Sequence, residues 1–259
     1  MNENTKYVVG TSGYSFADWV GTFYPAGTQQ KEMFGHYVRR FQTVELNFTF
    51  YRMPAARTLE RLAQLSPEGF TFWVKANQQI THEQDRSVAR EFLDGLRAMI
   101  DGGKLAGVLL QFPQSFHRTV ASRKFLAAAI EDFAAVPLAV EFRHFSWEHP
   151  STFAGLRERN TAVVVPDAPE IRGLFRPAPT VTSNIGYLRL HSRDASKWYA
   201  GAAERYDYNY TAEELTDILK QWRPLQEQVD KVYAFFNNCH RGQAAQNAEA
   251  FRRILKQIE

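Results

Sequence analysis

Polar side chains recur at every second position of several otherwise apolar segments of this sequence. Residues 43–51 (TVELNFTFY) show the pattern most fully, because Glu45, Asn47, Thr49 and Tyr51 alternate with Val, Leu and Phe. Successive side chains of a strand point to opposite faces, so each row predicts a single polar face. The rows predicted in this way contain Glu45, Asn47, Thr49, Tyr51, Trp73, Lys75, Asn77, Gln111, Glu141, Arg143, Asp167, Arg189, His191, and Asn237 or Asn238.

Two residues of these rows, Glu45 and Glu141, are carboxylates that could form a general acid–base pair of the kind found in glycosidases. Sequence spacing does not give the distance between them. The same acids could instead form a structural ion network with Lys75, Arg143 and Arg189, because a buried charge needs a partner. Both interpretations stay open at this point.

The basic residues of the same rows predict an anion site. Lys75, Arg143, Arg189, His191 and Arg193 come from different predicted strands and converge on one end of the fold. Guanidinium groups suit carboxylates and phosphates, and lysine adds a point charge. We therefore expect a small anionic or sugar-like substrate at this end.

Two further chemistries remain as alternatives. Glu45, Glu141, Asp167 and His191 offer the oxygen and imidazole donors of a metal-dependent hydrolase or isomerase. The neighbouring arginines would compete for those carboxylates, so we expect no metal held by the protein. Lys75 could instead form a Schiff base with a substrate, which would require a lowered pKa that the sequence does not reveal.

The elements that must position these side chains are eight short apolar segments. Their first residues lie about 32 positions apart on average, close to the roughly 30 residues of a strand–helix unit. The predicted strands are residues 7–13, 43–51, 70–77, 106–113, 137–143, 161–168, 185–192 and 231–239. Amphipathic stretches typical of helices cover residues 31–41, 55–65, 88–100, 124–133, 153–159, 212–228 and 244–258.

Strands that alternate with helices predict a parallel sheet, and eight such units predict an α/β fold, a single-domain (β/α)8 TIM barrel over residues 1–259. An open doubly wound sheet is the alternative, but residues 10–13 (GTSG) lack the spacing of a dinucleotide-binding motif. Residues 169–183 show no clear helix, and residues 193–210 form a long loop after the seventh strand. Barrel active sites lie at the carboxyl ends of the strands, where Asn77, Arg143, His191 and Asn237 fall.

Composition narrows the class of protein. The single cysteine, Cys239, excludes an intramolecular disulfide and a site with several cysteine ligands. A formal net charge of +3 over 259 residues is too small to indicate nucleic-acid binding by itself. No apolar run approaches the roughly 20 residues that span a bilayer, and residues 1–6 lack a signal-peptide pattern. We therefore expect a soluble cytoplasmic protein.

Residues 193–210 mix basic and aromatic side chains. This mixture could close over a substrate as a lid, or it could stack against a sugar or a base. It also supports a hypothesis of a different class, a nucleic-acid or partner-binding module. The surface of that module would consist of Arg193, Lys197, Trp198, Arg205, Tyr206 and Arg241. We favour a small-molecule pocket, because charges placed within strands line concave sites.

Several motifs in order give this chain a resemblance to the YecE-like family, domain of unknown function 72. The matching segments are residues 10–25 (GTSGYSFADWVGTFYP), 44–54 (VELNFTFYRMP), 72–82 (FWVKANQQITH), 108–116 (VLLQFPQSF), 140–147 (VEFRHFSW), 187–191 (YLRLH) and 233–248 (YAFFNNCHRGQAAQNA). The resemblance implies a TIM barrel without an established reaction. The chain departs from the family pattern at Tyr14, usually Trp, at Ser192, usually Gly, and at Cys239, where an acid is common. The last two positions adjoin the predicted site, and the missing acid weakens a metal site.

The residues that the resemblance marks as a shared site are Glu45, Asn47, Thr49, Tyr51, Lys75, Gln111, Glu141, Arg143, Trp147, Arg189, His191, Asn237 and Asn238. Most of them are also selected by the strand faces. We predict that the catalytic residues are Glu45, Glu141, His191 and Lys75. The predicted substrate-binding residues are Asn47, Tyr51, Asn77, Gln111, Arg143, Trp147, Arg189, Asn237 and Asn238.

Overall fold

The computed structural model describes residues 6–258, without the side chains at positions 202 and 203. Eight strands form one parallel sheet in the order β1-β8-β7-β6-β5-β4-β3-β2. The strands are β1 (Tyr7–Thr11), β2 (Thr43–Leu46), β3 (Thr71–Lys75), β4 (Leu105–Gln111), β5 (Leu138–Glu141), β6 (Ala162–Asp167), β7 (Ile185–Leu190) and β8 (Lys231–Phe236). This order confirms the predicted barrel, because the first strand pairs with the last.

Helices surround the sheet. In the described part of the chain they are α1 (Gln30–Tyr37), α2 (Phe48–Tyr51), α3 (Ala56–Leu65), α4 (Gln78–Thr81), α5 (Ala89–Gly95), α6 (Arg97–Asp101), α7 (Val120–Asp132), α8 (Pro150–Glu158), α9 (Ala202–Arg205), α10 (Ala212–Trp222) and α11 (Gln243–Ile258). Local sequence fixes several of their ends. The Thr211 side chain accepts from the Glu214 backbone N–H, and the Glu214 carboxylate accepts from the Thr211 backbone N–H. This reciprocal pair is the capping box that starts α10.

The barrel is joined differently between β1 and β2 than elsewhere. The backbones meet there through one isolated bridge, between Ser12, just after β1, and Glu45 within β2. Below that bridge the hydroxyl of Tyr37, on α1, accepts from the Thr11 backbone N–H at 3.0 Å and donates to the Thr43 carbonyl at 3.0 Å. A buried side-chain hydroxyl therefore joins the two strands at a point where no backbone ladder connects them.

Replacing Tyr37 with phenylalanine should lower the free energy of unfolding by about 1–3 kcal/mol, because the substitution leaves a buried N–H and a buried carbonyl without this partner. Urea denaturation would measure the change. Tyr199→Phe is a matched control, since Tyr199 is 72% exposed and its loss should stay within about 0.5 kcal/mol. Equal losses in the two variants would contradict the bridging role of Tyr37.

Apolar side chains fill the amino-terminal half of the barrel interior. The buried residues of this layer are Trp73, Leu109, Ala139, Ala162, Val164, Tyr187, Tyr233 and Phe235. Trp73 meets the rings of Tyr187 and Tyr233 edge-on, at centroid distances of 4.7 and 5.4 Å. Gly107 makes room for this indole, because a Cβ there would lie 2.5 Å from the Trp73 ring. This layer closes one end of the barrel and leaves the carboxyl end for polar residues.

The structure differs from the sequence-based prediction in the lengths of some elements. The second strand ends at Leu46, and residues 48–51, predicted as strand, form the short helix α2. The helix predicted over residues 88–100 is divided into α5 and α6. Residues 223–228, predicted as the end of a helix, form a 3-10 turn after α10. All eight predicted strands are nevertheless present.

Candidate functional site

Arg189, near the end of β7, connects two carboxylates across the barrel. Its Nη2 lies 2.7 Å from Glu45 Oε1 on β2, and its Nη1 lies 2.5 Å from Glu141 Oε2 on β5. All three side chains are at most 2% exposed. Glu45 is fully engaged, because Tyr187 donates to its Oε2 at 2.7 Å and Asn47 donates to its Oε1 at 3.1 Å. Glu45 therefore serves mainly to hold Arg189.

Glu141 also faces the carboxyl end of the barrel, which we call the mouth. Its Oε1 lies 2.6 Å from Arg143 Nη2 and 3.6 Å from His191 Nε2. The His191 Nδ1 is 2.9 Å from the Asn237 amide nitrogen. The mouth cluster is defined here as Glu45, Lys75, Glu141, Arg143, Arg189 and His191.

Burial and charge set the protonation states in the mouth cluster. Burial acts to raise the pKa of Glu141, but Arg143 and Arg189 outweigh it and hold that pKa well below its ordinary value. Burial and then the charge of Arg143 lower the pKa of His191 to about 3. Near neutral pH the site therefore holds an ionised Glu141 beside a neutral imidazole, and its low pKa makes Glu141 a weak base.

Lys75, at the end of β3, is the cation of the cluster with neutral partners. Its Nζ donates to Gln111 Oε1 at 2.7 Å and lies 3.9 Å from the centroid of the Phe50 ring. Within residues 6–258, no carboxylate lies within 4.0 Å of this amine, the distance of an ion pair. Burial, followed by the charge of Arg189, lowers the pKa of Lys75 to about 7.

Lys75 should therefore change charge near pH 7, whereas a model lysine does so near about 10.4. Competitive acetylation across a pH series, read by peptide mass spectrometry, would give the midpoint for Lys75. A lysine model amide in the same tube is the control. A Lys75 profile that overlays that of the model amide would show that burial does not favour the neutral amine.

The loop after β7 covers the mouth with Trp198, which is 3% exposed. The guanidinium carbon of Arg205 lies 4.2 Å from the centroid of the Trp198 ring, and that of Arg143 lies 5.7 Å from it. The His191 ring approaches the same indole edge-on, at 6.0 Å. Two guanidinium groups and an imidazole thus surround one buried aromatic ring.

Several nitrogen atoms around this indole are buried without a hydrogen-bond partner among the described residues. They belong to Arg143 (Nη1), Arg205 (Nε) and His191 (Nε2). Arg205 also lacks a carboxylate partner within the part of the chain that the structure describes. Its positive charge repels that of Arg143. Buried donors without partners are costly, so a hydrogen-bond acceptor at this place would be stabilising.

Other basic residues of the same loop are paired. Arg193 Nη2 lies 2.7 Å from Asp167 Oδ2, and Lys197 Nζ lies 3.4 Å from Asp207 Oδ2. Tyr210 adds a hydrogen bond to Asp167 at 2.8 Å. The two contacts with Asp167 attach the loop to the barrel, whereas the Lys197–Asp207 pair lies within the loop.

The structure corrects several predicted positions. Asp167 lies outside the barrel interior, since Val164 faces inward and Asp167 pairs with Arg193. Tyr51 lies on α2 and is 72% exposed. Trp147 lies in the outer layer, stacked on Phe142 at 4.4 Å.

Two asparagines on the predicted site list hold backbone rather than line the mouth. Asn77 caps α4 and donates to the Thr49 carbonyl at 3.0 Å. Asn238 donates to the Tyr208 carbonyl and, on α11, to the Asn247 side chain, both at 2.7 Å. Of the alternatives Asn237 and Asn238, it is therefore Asn237 that faces inward. The predicted residues that the structure brings together are Glu45, Asn47, Lys75, Gln111, Glu141, Arg143, Arg189, His191 and Asn237.

Sequence reasoning missed two residues of the site. Tyr187, which binds Glu45, shares the alternating row of Arg189 and His191 and could have been found from that row. Phe50, which lies beside the Lys75 amine, could not be placed, because the predicted strand put it on the opposite face from Tyr51.

The carboxylates of the mouth are already engaged by arginines. Guanidinium groups of Arg143 and Arg189 occupy the Glu141 and Glu45 carboxylates. Over residues 6–258, no group of three or more His, Cys, Asp or Glu side chains is arranged to hold a metal ion. In the same residues, no helix combines the length and apolar character needed to cross a membrane.

An eight-stranded parallel barrel with a charged mouth at the carboxyl ends of its strands places the protein in the class of TIM barrels. The chain belongs to the family described as Protein of unknown function DUF72, whose model matches residues 8–259. This agrees with the resemblance found in the sequence motifs.

Individual relatives support the assignment along nearly the whole chain. The UPF0759 protein YunF of Bacillus subtilis is 30% identical, with 95% of this chain and 94% of that protein covered. The crystal structure of a DUF72 family protein from Thermotoga maritima is 35% identical, with a TM-score of 0.90 and 97% and 100% of the two chains covered. A xylose isomerase domain containing protein from Salmonella typhimurium is 15% identical over 89% of this chain and 91% of that one, with a TM-score of 0.51, and shares the fold.

Proposed function

We propose that this protein is an enzyme that binds a small phosphorylated or carboxylated substrate in the mouth and acts on it by general acid–base chemistry. The observation that carries the proposal is the group of buried, unpartnered nitrogen atoms on Arg143, Arg205 and His191 around Trp198. A phosphate or carboxylate would accept from the two guanidinium groups and relieve their mutual repulsion.

The charge balance of the mouth supports an anionic ligand. Glu45 pairs with Arg189, and Glu141 pairs with both Arg143 and Arg189. Lys75 and Arg205 therefore have no acidic partner among the described residues. A bound anion would supply the missing negative charge in a site screened from water, where electrostatic interactions are strong. A neutral sugar could use the same donors but would leave the excess charge uncompensated.

Lys75 is the residue proposed to transfer the proton. A catalytic group works best when its pKa lies close to the working pH, and the pKa of Lys75 is about 7. Glu141, with its pKa held low by two arginines, would instead position Arg143 and His191. Glu45 would hold Arg189 in place.

Isothermal titration calorimetry with inorganic phosphate and a series of small carboxylates tests anion binding. We expect one site per chain, with affinity reduced at least about tenfold in Arg143→Met and in Arg205→Met. Arg123→Met, which removes an exposed arginine from α7, is the matched control.

Anion binding that is unchanged in both mouth variants, or equally reduced in the control, would overturn the proposal. Oligonucleotide binding at low salt that exceeds anion binding would favour the nucleic-acid hypothesis instead. The paired state of Arg193 and Lys197 supports the small-anion proposal, because it leaves fewer free cations on the rim.

A further inference from the structure

The Lys75 amine has the surroundings of a nucleophile. Its nearest partners are a neutral amide oxygen on Gln111 and the face of the Phe50 ring. Lysines that carry only a structural charge usually pair with a carboxylate, and the described residues bring none within ion-pairing distance of this amine. The hydrogen bond to Gln111 uses one N–H and orients the amine at the end of β3.

Charged groups on several elements act on this amine. Arg189 on β7 and Arg143 after β5 disfavour its protonation. Glu141 and Glu45 favour protonation, but burial and Arg189 have the larger effects. His82, which follows α4, is also close enough to be affected by Lys75, and burial together with the Lys75 charge lowers the pKa of His82 to about 4. Near neutral pH a large fraction of Lys75 therefore carries a free electron pair.

We propose that Lys75 forms an imine with the carbonyl carbon of an aldehyde or ketone substrate that also bears a phosphate or carboxylate. The inference rests on the proposed anion site, because Arg143 and Arg205 would hold the anionic end of the molecule, and it gives Lys75 a covalent role in place of proton transfer. The Lys75 electron pair attacks the carbonyl carbon to give a carbinolamine. A carbon–nitrogen double bond then forms as the carbonyl oxygen leaves with both amine protons as one water molecule.

Other side chains around the amine can accommodate the imine. A protonated imine has the same charge as the ammonium it replaces, and the carboxylates of Glu141 and Glu45 favour that positive charge. The Phe50 ring face, 3.9 Å from the amine, would stabilise the cation as it stabilises lysine. The arrangement therefore serves both the attacking amine and its product.

Reductive trapping tests the imine in the unmodified protein. The protein is mixed with pyruvate or with glyceraldehyde 3-phosphate, reduced with sodium borohydride, and digested for peptide mass spectrometry. We expect the reduced adduct on Lys75 at least about tenfold above that on any other lysine, because most lysines are protonated at neutral pH. Added inorganic phosphate and the Arg143→Met variant should each lower the Lys75 adduct.

Two controls keep the result unambiguous. Lys75→Gln should abolish the selective adduct, whereas Lys220→Gln, which removes a 70% exposed lysine, should leave it intact. A circular dichroism spectrum shows whether Lys75→Gln is folded. If that variant is not folded, the peptide map of the wild-type protein alone tests the proposal.

The outcomes separate this inference from the proposed function. Calorimetric phosphate binding without a selective Lys75 adduct for either carbonyl probe overturns the imine and leaves the anion site standing. Adducts spread over exposed lysines overturn it in the same way. A selective Lys75 adduct that phosphate does not compete with supports the nucleophile but overturns the link to the anion site.

Discussion

Replacing Arg189 with methionine is expected to lower the free energy of unfolding by about 3–5 kcal/mol, the usual cost of removing one partner of a buried ion pair. Methionine keeps much of the length and volume of the side chain but removes the charge. The substitution leaves the carboxylates of Glu45 and Glu141, both 0% exposed, without the guanidinium that joins them. Urea denaturation at neutral pH would measure the loss.

The loss should depend on pH. In the wild type the pKa of Glu141 lies well below its ordinary value, so Glu141 stabilises the fold above the pKa of the unfolded chain, about 4.3, and this contribution is lost as the pH falls further. In Arg189→Met burial favours the protonated acid, which forms more readily as the pH falls. The difference between the two proteins should therefore shrink from pH 7 to pH 4.

An exposed ion pair provides the comparison for Arg189. Arg86 pairs with Asp132 on the surface, where the two side chains are 40% and 25% exposed. Arg86→Met should cost less than about 1 kcal/mol. Similar losses for the two substitutions, or a loss for Arg189→Met that does not change with pH, would contradict the bridging role assigned to Arg189.

Trp73→Ala is expected to cost about 3–5 kcal/mol, because it opens a cavity in the layer that closes the barrel. The indole is 0% exposed and packs edge-on against Tyr187 and Tyr233. Gly107 cannot fill the space, since it has no side chain. Chemical denaturation would report the change in stability.

Tyr51→Ala is the matched aromatic control for Trp73, because Tyr51 is 72% exposed. Its effect on stability should stay within about 0.5 kcal/mol. A loss below about 1 kcal/mol for Trp73→Ala would mean that the barrel interior collapses around the vacancy, contrary to the close packing seen around the indole.

The barrel could be predicted from the sequence because eight apolar segments recur about 32 positions apart on average and amphipathic stretches separate most of them. The inward direction of Lys75, Glu141 and Arg189 followed from polar residues alternating with apolar ones. Asp167 was placed wrongly for a related reason. It follows a run of apolar residues, AVVVP, in which alternation gives no phase.

The second strand shows a different limit of sequence reasoning. Aromatic and β-branched residues over positions 47–51 favour a strand. In the fold, the Thr49 hydroxyl donates to the Lys75 carbonyl at 2.6 Å, and Asn77 binds the Thr49 carbonyl. These contacts with the next strand and the turn after it hold residues 48–51 as a helix. No local sequence pattern predicts such long-range contacts. The same helix places Phe50 beside Lys75.

The hydroxyl that joins β1 and β2 has a consequence for how the circle of strands is assembled. The pairing of β1 with β8 joins parts of the chain more than 200 residues apart and is secured by a full ladder, from Tyr7 with Val232 to Thr11 with Phe236. The junction of β1 with β2 spans only the loop that contains α1. Loop-closure entropy rises with loop length, as about (3/2)RT ln n, so this short connection is the easier one to close. The barrel therefore uses its least extensive junction where chain entropy opposes closure far less than it does between β1 and β8, and amide exchange should find its earliest opening there.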